Sequence, residues 1–179
     1  MLKAVATALL AIGIAGCAVP QKVAKYTVSA PFDEQAASEQ MQPGGGVLRG
    51  NAFMRQQGGG VVTCAGSDVM LIPVTDYATE RLSRVYGHAP GAGETVYSDI
   101  RNLLGERIEF SPDFPAYKEI ARTIKCDGKG EFTFTAIKDG DYYVLTHVLW
   151  QVGALRQGGA LAARAKVNNA ASDILIMNR

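Results

Sequence analysis

The segment Asp127-Gly128-Lys129-Gly130-Glu131-Phe132-Thr133-Phe134-Thr135-Ala136-Ile137-Lys138-Asp139-Gly140-Asp141-Tyr142-Tyr143-Val144-Leu145-Thr146-His147-Val148-Leu149-Trp150 decides the fold class. Phe132 and Phe134 alternate with Thr133 and Thr135, the period-two signature of a half-buried strand, and a β-branched and aromatic run from Tyr142 to Trp150 follows a turn. The pattern predicts a β-hairpin at the centre of the fold. Its register depends on the turn. A two-residue Asp139-Gly140 turn places Phe132 and Phe134 with Tyr143, Leu145 and His147. A three-residue Lys138-Asp139-Gly140 loop with Gly140 left-handed places them with Tyr142 and Val144.

The run Gly130-x-Phe132-x-Phe134, then Ile137 and Gly140-Asp141-Tyr142-Tyr143-Val144, resembles the end of a carboxypeptidase regulatory-like domain, a transthyretin-like (prealbumin-like) β-sandwich. The earlier strands of that pattern correspond to Leu48-Arg49-Gly50-Asn51-Ala52 and Ala65 to Pro73, so the resemblance covers roughly Val47 to Trp150. It favours the three-residue loop. It implies a mainly β chain: a transthyretin-like β-sandwich with one short inserted helix.

Working outward, Val47 to Arg55, Val61 to Cys64 and Asp68 to Val74 read as strands, with Gly58-Gly59-Gly60 as a turn. After Pro73 the period changes. Thr75 suits a helix cap, Asp76 and Glu80 suit the positive helix start, and Ala78, Leu82, Val85 and Tyr86 share a face before Gly87. We treat 75–117 as an insertion between core strands, with helical turns at Ser98 to Leu104 and an extended stretch from Ile108 to Phe114. Ile120 to Cys126 leads into the hairpin. Gln151 to Gly159 reads as a turn region, and Leu161 to Val167 and Asp173 to Met177 as closing strands around Asn168-Asn169.

At the other end, Lys3 precedes an apolar run from Ala4 to Ile14 that ends in Ile14-Ala15-Gly16-Cys17. A basic start, an apolar stretch too short to span a bilayer comfortably, and small residues before a cleavage point describe an export signal. The cysteine after them resembles the lipobox of bacterial lipoproteins. That resemblance implies removal of residues 1–16 and acylation of Cys17, with palmitate among the chains, and hence a membrane partner through lipid. Ala18, not Asp, follows the cysteine, which in such lipoproteins implies the outer membrane with the domain facing the periplasm. Removing 16 residues from 179 leaves 163, one domain plus a tether. Residues 17–46, rich in Ala, Gln, Ser and Gly and interrupted by Pro20, Pro31 and Pro43, read as mostly flexible, with a short strand near Lys25 to Ser29 as the alternative. The folded domain is expected over 47–179.

With Cys17 lipidated, two cysteines remain. Cys64 and Cys126 each end a predicted strand in an exported chain, which predicts a disulfide, the alternative being two buried thiols. The 18 basic and 17 acidic residues show no basic stripe, which argues against nucleic acid. His88 and His147 lack ligand-like partners at helical spacing, so neither a metal site nor a cofactor is expected. No Gly-x-Ser-x-Gly elbow is present. Transthyretin-like hydrolases of similar fold end in Tyr-Arg-Gly-Ser, whereas this chain ends Ile174-Leu175-Ile176-Met177-Asn178-Arg179. A catalytic role is therefore not expected.

The aromatic residues Tyr86, Tyr97, Tyr117, Tyr142, Tyr143 and Trp150 suit either a glycan platform or core filling. Tyr142 to Trp150 is apolar on both faces, so one face needs a covering element such as the Thr75 helix, or a partner. The sequence thus leads to an envelope lipoprotein whose non-catalytic sandwich serves protein binding or structural support. A carbohydrate-binding module is the alternative.

Overall fold

The computed structural model describes residues 22–168 and 174–179, so Cys17 and the expected export signal lie outside the described residues. The elements in chain order begin with β1 (Lys22–Thr27), α1 (Glu34–Gln40), β2 (Gly46–Arg55), β3 (Val61–Thr63) and β4 (Asp68–Pro73). Next come α2 (Asp76–Tyr86), β5 (Thr95–Asp99), α3 (Ile100–Gly105), β6 (Glu106–Ser111) and α4 (Pro115–Glu119). The chain closes with β7 (Arg122–Lys125), β8 (Glu131–Ile137), β9 (Gly140–Val152), β10 (Leu155–Val167) and β11 (Leu175–Asn178). The chain is mainly β and forms a sandwich. One sheet has the order β5-β10-β9-β4-β7; the other is built on β2, which pairs with β11, β3 and β8. The insertion carries α2, the helical turns expected near Ser98 to Leu104 as α3, the start of α4, and the strands β5 and β6, where the resemblance implies one short helix.

The predicted central hairpin is a crossing between sheets. β8 pairs with β2 and β9 with β4 and β10, so the connection at Lys138-Asp139 passes from one layer to the other. Alternation and turn residues identify two strands and a reversal, but not which neighbours they bond; that is set by long-range pairing. The expected grouping of side chains holds for a different reason. Phe132 and Phe134 meet Tyr142 and Val144 in one core because they face each other across the sandwich. A bulge before Ile137, where Ala136 takes φ 53°, keeps Ile137 on the buried side despite its odd spacing from Phe134.

The true hairpin is β9–β10, turning at Gly153-Ala154 with Val152 opposite Leu155. Residues 155–159, read as part of a turn, belong to β10, because consecutive glycines resemble a chain break even where they sit inside a strand. The inner face of β9 and β10 joins Leu48, Met54 and Met177 in the core. Part of the outer face of β4 and β9 is covered: Ile72 and Tyr143 pack on Ala78 and Leu82 of α2, and the Thr79 and Tyr143 hydroxyls are 2.9 Å apart. Thr75 caps α2 by accepting from the Ala78 N–H, and Gly87 ends it at φ 91°, as the sequence predicts.

Cys64 and Cys126 form a disulfide that joins the end of β3 in one sheet to the end of β7 in the other, with Cα atoms 5.8 Å apart. The stretch expected as a flexible tether is ordered from Lys22 onward. β1 lies parallel to β6, and Glu80 accepts from the Ser29 and Ala30 N–H groups at 2.9 and 2.7 Å. Phe32 enters an aromatic cluster with Tyr77, Phe114 and Tyr117. Gln40 donates to the Asp139 carbonyl and the Tyr142 hydroxyl, filling the corner where the chain crosses between sheets. Prolines rule out one long element there, but short elements between them dock through these few side chains. No helix among the described residues is long and apolar enough to cross a membrane.

Candidate functional site

At the β9–β10 hairpin end of the sandwich the two sheets part. Alternation along three adjacent strands places Tyr97 and Asp99 of β5, Gln157 and Gly159 of β10, and Val148 and Trp150 of β9 on the inward side. Val148 and Gly159 are buried; Tyr97 and Trp150 are half-buried against the core rim. Together with Arg55, Arg101, Arg156 and Arg179 they line a cleft of about 480 Å³.

Two glycines shape this cleft. A side chain on Gly158, at φ 93°, would meet the Val148 carbonyl and the Trp150 ring at 2.9 Å; one on Gly159 would meet the Tyr97 ring at 2.8 Å. With hydrogen in those places, both aromatic rings lie close against the backbone of β10. The Tyr97 hydroxyl is held 3.0 Å from the Gly158 carbonyl and 3.2 Å from an Asp99 carboxylate oxygen. The guanidinium of Arg179 covers the Tyr97 ring.

Asp99 is fixed in turn by Arg101, whose side chain and backbone N–H both donate to the carboxylate. Those bonds hold its carboxyl well below the usual carboxylate range, so it is an ionised acceptor at neutral pH. Burial, then the neighbouring carboxylate, pushes the Tyr97 hydroxyl up, which keeps it a donor. Among the described residues the cleft therefore combines half-buried aromatic surface, the ionised Asp99 carboxylate, the amide residues Gln57 and Gln157, and several arginines. With Arg179 over Tyr97, the set offers a stacking surface on Trp150 and directional hydrogen bonds to a polyhydroxylated ligand with an apolar C–H face. Among the described residues Asp99 is the one acidic side chain lining it, whereas glycoside hydrolysis ordinarily uses a pair of carboxylates.

A second cleft of about 660 Å³ shares Tyr97 and Arg101 but is lined by groups that satisfy one another. Glu106 pairs with Lys22 at 3.1 Å and with Arg84 at 2.9 Å, and burial drives the Tyr86 hydroxyl strongly upward. It offers less to a ligand.

Of the aromatic residues considered from sequence, the structure brings Tyr97 and Trp150 together. Tyr142 and Tyr143 are core, and Tyr86 and Tyr117 pack around α2. Cys64 and Cys126 are the disulfide. Among the described residues no group of three metal-ligating side chains converges. Asp99, Arg101, Arg156, Gln157 and Arg179 were not picked out from sequence. The signal available for them was Gly158-Gly159 beside Arg156-Gln157: paired glycines within a strand mark close approach of another group.

Searches with protein-family models find no match to the chain, and searches of curated proteins find no similar sequence. Among solved structures, the fold is similar to a crystal structure from Pseudomonas aeruginosa described as a "putative carbohydrate binding protein". The TM-score is 0.62 at 21% identity, covering 84% of this chain and all of the other. At that identity the likeness concerns the fold.

Proposed function

We propose that this chain is a non-catalytic binding module of the cell envelope, anchored by acylation of Cys17, and that its ligand is a glycan held in the Tyr97–Trp150 cleft. The observation that carries the reading is the pair of half-buried aromatic rings laid on Gly158-Gly159 beside the fixed Asp99 carboxylate. The carbohydrate-binding description of the Pseudomonas structure adds support at the level of fold. A protein partner was favoured from sequence because β9 is apolar on both faces. α2 covers the part of that outer face around Tyr143 and Leu145, which weakens that motive. The lipobox-like Ile14 to Cys17 supports the anchor, and intact mass of wild type against Cys17→Ser tests it: acyl mass on the wild type alone is expected.

For the ligand, the full chain is screened against a glycan array beside Trp150→Ala and Trp150→Phe. We expect selective binding that falls about tenfold or more in the alanine variant and is partly recovered by phenylalanine. Circular dichroism of each variant separates loss of the ring from loss of the fold. A correctly folded wild type that binds no glycan overturns the reading.

A further inference from the structure

We infer that the glycan is anionic, carrying carboxylate or phosphate groups; this rests on the glycan reading of the same cleft. Among the described residues four arginines, Arg55, Arg101, Arg156 and Arg179, line it, against Asp99 as the one acidic side chain; the Arg179 guanidinium is placed over Tyr97 and that of Arg101 on Asp99. Arg101 is engaged by that carboxylate. Among the described residues Arg55, Arg156 and Arg179 have no acidic partner, as is also true of Lys25, Arg49, Lys129 and Lys166 elsewhere; what sets the three apart is that they border one cleft.

This concentration is local. The whole chain has a formal net charge of only +1, so the excess is not the overflow of a basic protein. The fold also sets it on two walls. Arg55 and Arg179 sit beside each other, the Arg55 N–H donating to an Arg179 main-chain oxygen at 3.0 Å, while Arg156 comes from β10 of the other sheet. Like charges converging on a concave, partly apolar surface raise its positive potential and favour an anion there. Arg179 lies over Tyr97, and a guanidinium stacked in this way keeps its in-plane N–H groups available for an oxyanion. A neutral glycan would use the Trp150 ring, Asp99 and Gln157 and leave these groups to water. A glycan with regularly placed oxyanions uses both sets.

The test is equilibrium titration of the detergent-solubilised full chain with oligogalacturonate, the same oligomer as its uncharged methyl ester, a phosphorylated oligosaccharide, and polyphosphate. Tighter binding of the carboxylated or phosphorylated sugar than of the ester, by about tenfold or more, supports the inference, and which of the two binds identifies the oxyanion. In that case Arg156→Ala combined with Arg179→Ala removes the preference, and Arg156→Lys, which keeps charge but not the fork, restores it only in part. Equal binding of acid and ester overturns the anionic inference and leaves the glycan reading standing. Binding of no saccharide removes both. Polyphosphate binding as tightly as the acidic sugars, with no effect of Trp150→Ala, reduces the cleft to a general polyanion surface and overturns the inference.

Discussion

The guanidinium carbon of Arg179 lies 3.8 Å from the centroid of the Tyr97 ring, joining the residue after β11 in one sheet to the edge strand β5 of the other. This contact spans the open end of the sandwich. An exposed cation–π pair contributes about 0.5–1 kcal/mol. Arg179→Ala is therefore expected to lower stability by no more than about that amount in urea denaturation. A loss of several kcal/mol would mean that Arg179 is a structural clasp and not a wall of the site.

Gly158 should tolerate no side chain. Alanine there would take a left-handed backbone and meet both the Val148 carbonyl and the Trp150 ring. We expect Gly158→Ala to cost about 1–3 kcal/mol. Gly128→Ala, which meets nothing within 4 Å, serves as the control and should be nearly neutral. Equal stability of the two variants would remove the glycine cradle from the account.

The disulfide staples the two sheets across 62 residues of sequence. In the chain-entropy view, closing a loop of that length contributes about 4 kcal/mol. The double variant Cys64→Ala, Cys126→Ala should lose stability of that order in denaturant titration. Peptide mapping without reductant should recover the two cysteines in one linked species.

Glu80 makes the N-terminal segment sensitive to acid. The Ser29 N–H, then the Ala30 N–H, hold its carboxyl below the ordinary value of 4.5, against a smaller opposing effect of burial. A depressed folded-state value gives stability that is fully present above about pH 4.5 and is lost as pH falls through that lower value. The Tm difference between wild type and Glu80→Gln should hence be constant at neutral pH and shrink in the acid range. A difference that stays flat down to strongly acid pH would contradict the assigned bonds.

The sequence made local features legible and left the pairings undetermined. Thr75 and Gly87 bracket a helix because capping is decided within a few residues. Phe132 and Phe134 declare a buried face because alternation is local too. Whether β8 bonds to β9 or to β2 depends on residues some eighty positions apart, and no short pattern records it. The same holds for the site. Tyr97, Trp150 and Arg179 are dispersed along the chain and meet only when β5 and β11 take their places at the sheet edges. The tether was misread because its composition is that of a linker, while its docking rests on a few side chains: Phe32, Gln40 and the partner Glu80.

Trp150 is the single tryptophan in the chain, so its fluorescence reports directly on the cleft. The most direct test is to titrate the folded full chain with the glycans selected on the array while following this emission. The account predicts a saturable change in intensity or wavelength with the binding glycan, weakened about tenfold or more when Arg156 and Gln157 are both replaced by alanine. A glycan that binds with no change in Trp150 emission, and with undiminished affinity in that double variant, would place the ligand elsewhere and contradict the central claim.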